Sequence, residues 1–234
     1  MQRFIDWIDE CLGVEEIDQQ LTNEGRGWIA QIFNELLDNA ERYSNNIHNL
    51  SNWAMTGFMA KRTIDQSETF FMNISVLSSG NSIADTIGRV SGADLERLRR
   101  YQGVGGANRD CMSTIFAIQD YITADPNAAA GQRGGLGFQS IVEFMNELGG
   151  SYQVSRQPRL TIISGSACIH IAAPYINREK RDRPSGPREI WFNARNSERE
   201  PPDRSSVVDL PMSLNGTLVT LQFYLDPEYL HDTV

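Results

Sequence analysis

Cysteine, histidine and positive charge are all in short supply in this 234-residue chain. Its three cysteines (Cys11, Cys111, Cys168) are odd in number and widely spaced. They make neither a disulfide framework nor a zinc-ligand pattern, and read as reduced, buried thiols of a cytoplasmic protein. His48, His170 and His231 are equally scattered, and no chemistry is assigned to them. Lys and Arg total 21 against 30 Asp and Glu, a formal charge of −9. With a pI near 4.9, broad nucleic-acid binding is not expected, because a phosphate backbone needs a basic face. No apolar run approaches the roughly 18 residues of a membrane span. The acidic residues among Phe4, Ile5, Asp6, Ile8 and Asp9 are unlike a signal peptide. A soluble chain of this length suits one domain, with or without an insertion, and has enough residues to bury a core.

What the chain does contain is amphipathic order. Phe4, Ile5, Ile8, Cys11 and Leu12 have helical spacing that Gly13 breaks; this acidic helix caps the domain or meets a partner. Ile29, Ile32, Phe33, Leu36, Leu37 and Ala40 mark a second helix, which the spacing extends past Ser44 through Ile47, Leu50 and Ala54 to Phe58. On its edge Glu35 and Asn39 stand one turn apart, with Arg42 one turn beyond. An acid, an amide and a guanidinium so placed can hold a water, a divalent ion and a phosphate. The same spacing also fits the solvated edge of an ordinary core helix.

Lys61 to Glu68 is polar and reads as a connection. Phe70, Met72, Ile74 and Val76 then alternate as a strand that runs into Ser78-Ser79-Gly80-Asn81-Ser82-Ile83. Helices are expected over Ala93–Gln102, over the face Cys111 to Ile122, and over Phe138 to Leu148, where Gly149-Gly150 ends the pattern. Gly103-Val104-Gly105-Gly106 lacks the Lys-Ser/Thr of a P-loop. Gly134-Gly135-Leu136-Gly137 opens the last of these helices, where glycines let backbone approach an anion that the helix N-terminus favours. Tyr152–Val154, Leu160–Ile171 and Gly216–Phe223 read as strands. Tyr175 to Ser206 is a charged, solvated excursion in which Arg188–Asn193 can form an extra strand.

Glu-Leu-Leu-Asp-Asn-Ala-Glu-Arg-Tyr-Ser (35–44) resembles the N-box of the GHKL (Bergerat-fold) ATPases in its histidine-kinase form. Val76, Gly80 and Ile83 match that family's first glycine box, Gly134–Gly137 its second, and Gly216-Thr217 its closing strand, in the family's order over about residues 28–225. Ser78 stands where the family has its adenine-reading aspartate, and Ser82 where it has a second glycine. Exchanging that charged acceptor for a hydroxyl costs about 1–2 kcal/mol of base recognition, roughly tenfold in affinity.

The resemblance implies an α+β fold, a two-layer α/β sandwich whose mixed sheet is covered on one face by helices. Residues 1–27 are then a helical extension, 28–225 the nucleotide domain with a charged insertion at about 175–206, and 226–234 a tail. It also implies that Glu35 is the catalytic base or water-orienting group and that Asn39 is a Mg2+ ligand. Asp38 and Arg42 belong to the same box, Arg42 touching phosphate, and Tyr43 packs near the base. Ser78, Gly80, Ile83 and Thr217 line the base pocket, and Gly134, Gly135, Leu136 and Gly137 hold phosphate. ATP and Mg2+ are the expected ligands of a nucleotide-driven switch acting on a protein partner or a second copy. The alternatives are a kinase of the anti-sigma or histidine-kinase type that phosphorylates a separate partner, or a binding module that does not hydrolyse. Self-phosphorylation is not expected, since no hairpin with a phospho-accepting histidine precedes residue 28.

Overall fold

The computed structural model of the chain describes residues 2–13, 19–43, 52–64, 66–90, 92–120, 122, 137–149, 156–176 and 189–232. Its elements are α1 (Gln2–Leu12), β1 (Gln19–Leu21), α2 (Asn23–Tyr43), β2 (Trp53–Ile64), β3 (Ser67–Ser79), α3 (Ile83–Ile87), α4 (Gly92–Val104), α5 (Arg109–Ala117), α6 (Gly137–Gly149), β4 (Arg159–Ile171), β5 (Val207–Leu225) and β6 (Leu230–Asp232). A four-stranded sheet of order β2-β3-β5-β4 forms one layer, and β1 pairs with β6 separately.

Alternation along the strands decides which face is covered. Phe70, Met72, Ile74 and Val76 of β3 and Val219, Leu221, Phe223 and Leu225 of β5 are buried under the helices. Phe58 and Leu77, which point the other way, are 49% and 39% exposed. The fold is therefore the expected α+β sandwich. Every pairing among the described strands is antiparallel, which corrects the expected mixed sheet. β3 and the first half of β4 do run the same way, but β5 lies between them and turns each pairing antiparallel.

Two local expectations also fail. The second helix does not reach Phe58, and Lys61 to Glu68 is not a free connection. Instead Trp53–Ile64 is a strand, paired residue by residue with β3 from Trp53↔Ser78 to Ile64↔Ser67 around a two-residue turn. Its odd-numbered side chains from Trp53 to Met59 are half-buried while Ala54, Thr56 and Phe58 are exposed. That two-residue period beats the helical reading once β3 supplies the ladder partners.

β4 is bent. Nine residues of strand span about 30 Å, yet Thr161 Oγ1 and His170 Nδ1 lie 3.2 Å apart. The chain doubles back at Gly165, whose φ is +58°, and the register with β5 shifts on both sides of it. An alanine there would set its Cβ 2.6 Å from the Asp110 carboxylate. Asp110 in turn accepts from the Ser166 N–H and hydroxyl at 2.8 and 2.7 Å, pinning the bend to the start of α5.

α1 packs into the core: Ile5, Ile8 and Leu12 are buried, and the Phe4 ring meets Phe33 of α2 at 4.3 Å. The segment expected as a tail is likewise engaged, through Gln20↔His231 in the β1–β6 pair.

The charged insertion is another correction. Of its described residues, Tyr175 and Ile176 are buried, and 189–206 is a compact loop with no strand in which Ile190, Trp191 and Phe192 are buried. Arg97 of α4 bonds Glu189 and Glu198 and lies over the Trp191 and Phe116 rings. The Gln119 side chain accepts from the Ile190 N–H at 2.7 Å and donates to its carbonyl at 3.0 Å. Residues 177–188 of that segment, and Tyr152–Val154, lie outside the described residues.

Candidate functional site

Three elements expected to meet are far apart in sequence: the edge of α2, the end of β3 with the start of the Gly-Thr strand, and the start of α6. Ring contacts and backbone hydrogen bonds fix their relative directions. Thr22, just before α2, donates to the Tyr229 carbonyl at 2.8 Å, and Asp226 donates to Leu148 near the end of α6 at 3.0 Å. Both helix ends thus sit just beyond the C-terminal end of β5. Trp28 of α2 faces Phe144 of α6 at 5.4 Å, so the two helices run antiparallel. Seven residues further, about 10 Å along each axis, Gly137 comes level with Glu35.

A second anchor relates α2 to the sheet. Phe33 packs on Phe4, and the Phe4 ring lies against Gly57, the cross-strand partner of Ile74. From Phe33 to Asn39 is about 9 Å along the helix, or nearly three strand residues. Asn39 is thereby level with Val76–Ser78 at the end of β3. Glu35 and Asn39 are half-buried on this edge and Asp38 is exposed. Arg42 and Tyr43 occupy the last turn of α2, their side chains outside the described residues, as are Gly134, Gly135 and Leu136. Gly137 is the first residue of α6.

At the sheet end a polar row replaces the apolar one. Ser78, Thr217 and Ser164 are consecutive cross-strand partners on β3, β5 and β4, continuing the helix-facing set of Val76, Val219 and Ile162. Ser164 Oγ lies 2.8 Å from Thr217 Oγ1, and the Ser78 hydroxyl reaches the Thr217 carbonyl at 3.4 Å. The Ile83 N–H donates to Ser164 Oγ at 2.7 Å, which ties the first residue of α3 to the row. Gly80 donates to the Asn215 carbonyl at 3.2 Å. The glycine of the Gly-Thr pair is explained by distance: a Cβ on Gly216 would stand 2.1 Å from the Ser78 carbonyl. Only glycine lets β5 come this close to the end of β3.

The structure therefore draws Ser78, Gly80, Ile83 and Thr217 into one corner. Residues 35, 39 and 137 lie at the same end of the sandwich. Ser164 escaped the sequence reading, and Ser82 entered it only as a departure from the family's glycine. Ser164 interrupts the buried face Leu160, Ile162, which is a visible signal for a polar site. Ser82 caps α3 reciprocally with Asp85, each side chain accepting from the other's backbone N–H at 3.1 and 3.0 Å. The Ser-x-x-Asp spacing was legible, and it gives the serine at the family's second-glycine position a structural task.

Electrostatic perturbation lies elsewhere. Arg204 bonds Asp209 at 2.8 Å and holds its carboxyl down to about 2, aided by the Asn108 N–H. Burial, then the neighbouring Asp209, pushes the Cys111 thiol up to about 12. Cys11, Cys111 and Cys168 are all free, and burial raises Cys168 too. Cys168 Sγ lies 3.5 Å from His170 Nε2 beside a concavity of about 290 Å³ lined by Gln157–Thr161 and His170–Ala173, away from the corner just described. Among the described residues no helix is long and apolar enough to cross a membrane.

Comparison with protein-family models, with curated proteins and with solved structures returned no match in any of the three.

Proposed function

We propose that the chain is a Mg2+-dependent nucleoside-triphosphate-binding and hydrolysing domain, ATP being the ligand its family resemblance implies, and that it works as a conformational switch on a protein partner or a second copy. The observation that carries this is convergence: the Glu35/Asn39 edge, the first turn of α6 and the Ser78–Thr217 corner share one end of the sandwich. The donor set suits the metal. Magnesium keeps most of its waters and phosphate oxygens and takes one or two protein oxygens, and Asn39 offers one amide oxygen from a half-buried position. When bound, the metal neutralises phosphate charge.

The chain's own residues do the rest. Backbone N–H groups opening α6 hold phosphate. Glu35, one turn from Asn39, orients the attacking water and accepts its proton. Turnover is slow where closure over the site is limiting. Free thiols accord with a cytoplasmic setting. One observation favours a second reading: Ser78 is neutral where the family has a carboxylate, which fits a nucleotide-binding module that does not hydrolyse. Titration calorimetry of ATP and ADP with and without Mg2+, together with phosphate release by the wild type and Glu35→Gln, tests both. Binding lost in Asn39→Ala and release lost in Glu35→Gln support the switch. Equal release by wild type and Glu35→Gln removes Glu35 from its role.

A further inference from the structure

We propose that the open face of the four-stranded sheet binds single-stranded nucleic acid, stacking bases on Phe58, Phe71 and Tyr224 and holding phosphates with Arg62 and Arg159. The face lies on the side of the sheet away from α2 and α6, and the proposal does not depend on the nucleotide reading above.

Strand register places the residues. Phe58, Asn73, Gln222 and Arg159 are successive cross-strand partners, one row across β2, β3, β5 and β4. Phe71 and Tyr224 pair in the neighbouring row. The Phe71 ring lies 5.9 Å from that of Phe58 and 5.2 Å from that of Tyr224, so the three rings form one platform. From Phe71 to Leu77 and from Leu218 to Tyr224, the outward side chains are half-buried or exposed while the alternate ones are buried under the helices.

Charge decides what fits. The outward positions of β2 from Ala54 to Arg62, β3 from Thr69 to Leu77, β5 from Leu218 to Tyr224 and β4 from Arg159 to Ile163 include no Asp or Glu, in a chain that has 30 of them. The formal charge of −9 is an average, and this face departs from it. Arg62 lies over the Phe71 ring at 4.8 Å. Among the described residues neither Arg62 nor Arg159 has a carboxylate partner. A second copy laid face to face brings no acid to these arginines. The partner must carry negative charge and flat rings together. A single strand supplies both, and its base edges suit the amides of Asn73 and Gln222. Aromatic rings on the open face of a four-stranded sheet hold two or three bases in this way. The concavity bordered by Arg159, Thr161 and His170 continues the face at its β4 edge.

Fluorescence anisotropy on the full chain tests this, with labelled RNA and DNA single strands of about ten nucleotides and the matching duplexes. A single strand is expected to bind at low salt and its duplex at least tenfold more weakly, because paired bases stay in their own stack. The tighter of the two single strands names the natural ligand. Two phosphate contacts predict a fall of log affinity with log salt of slope about −1.4, and Arg62→Gln makes it shallower by about 0.7. Phe58→Ala, at an exposed side chain, is expected to weaken binding about fivefold or more. Absence of binding by either strand, or a duplex bound as tightly, overturns the proposal. So does displacement of the strand by a polyglutamate peptide as readily as by unlabelled strand, which would assign the face to an acidic protein. Displacement by Mg-ATP would put the strand at the α2–α6 end and overturn it too. These wild-type comparisons decide even if a variant does not fold.

Discussion

The clamp around Trp191 and the row Ser78–Thr217–Ser164 are both polar arrangements at the margins of one core, and they use their polar groups in opposite ways. In the clamp the hydrogen bonds close within the chain. Arg97 is spent on Glu189 and Glu198, the Trp191 Nε1 proton goes to Glu189, and the Asn193 amide donates to three carbonyls. In the row, either hydroxyl of the Ser164–Thr217 pair can donate, and among the described residues the Ser78 hydroxyl makes one contact, at 3.4 Å to the Thr217 carbonyl. A satisfied network fixes a single conformation. A network with unspent capacity at a half-buried position has something to offer a ligand.

The comparison breaks first at the clamp if it is wrong. Trp191 is 1% exposed, so Trp191→Ala is expected to destabilise the chain by about 3–5 kcal/mol, read by urea unfolding, and to leave the insertion open to proteolysis. Asn193→Ala, which strands the carbonyls its amide serves, is expected to cost about 1–3 kcal/mol by the same measurement. A loss under about 0.5 kcal/mol, the range of ordinary surface changes, would mean the loop is held by its aromatics alone.

At the site the expected effect on stability is smaller and the effect on ligand larger. Asn39→Ala should shift stability by no more than about 0.5 kcal/mol and abolish the rise in Tm expected of the wild type with Mg-ATP. An unaltered ligand-induced rise would detach Asn39 from the metal.

The smallest effect belongs to the Arg204–Asp209 pair, which is partly solvent-exposed. The Asp209 carboxyl titrates near 2 in the fold against 3.8 ordinarily. Its contribution is therefore complete above about pH 4 and lost as pH falls toward 2, the unfolded chain then binding the proton more readily. Asp209→Asn should flatten the acid limb of the stability profile between those values and lower stability at pH 7 by the small amount that limb spans. An unchanged acid limb would show that the pair is screened out by solvent.

Much of the layer pattern was legible because it is local. The alternation of Phe70 to Val76 and the helical spacing of Ile141, Val142, Met145 and Leu148 name their own buried faces. The segment 53–64 was misread because Ile47, Leu50, Ala54 and Phe58 also satisfy a helical period. Nothing in one strand of a hairpin announces its partner. The insertion was misread for the opposite reason: charge density hides the three apolar residues Ile190, Trp191 and Phe192, which are buried against Tyr101, Phe116 and Tyr175 and under Arg97 and Gln119, all distant in sequence.

The candidate site divides the same way. Motif order was available to a reader of the chain, as was the serine that interrupts the Leu160, Ile162 face, whereas the place of Ser164 beside Thr217 was not, since it depends on the register of β4 with β5 and on the bend at Gly165.

By itself the sequence determined which faces are apolar, where α2 and α6 run and where glycine is needed, because propensity and periodicity act over one or two turns. Only the tertiary structure decided that β5 lies between β3 and β4, that Gly137 comes level with Glu35, and that hydrogen bonds join Ile83, Ser164 and Thr217. Those facts rest on contacts between residues from 38 (Ile169↔Val207) to 155 (Phe70↔Leu225) positions apart. Such contacts form only when burial of the common core has overcome the entropy of closing the loops between them.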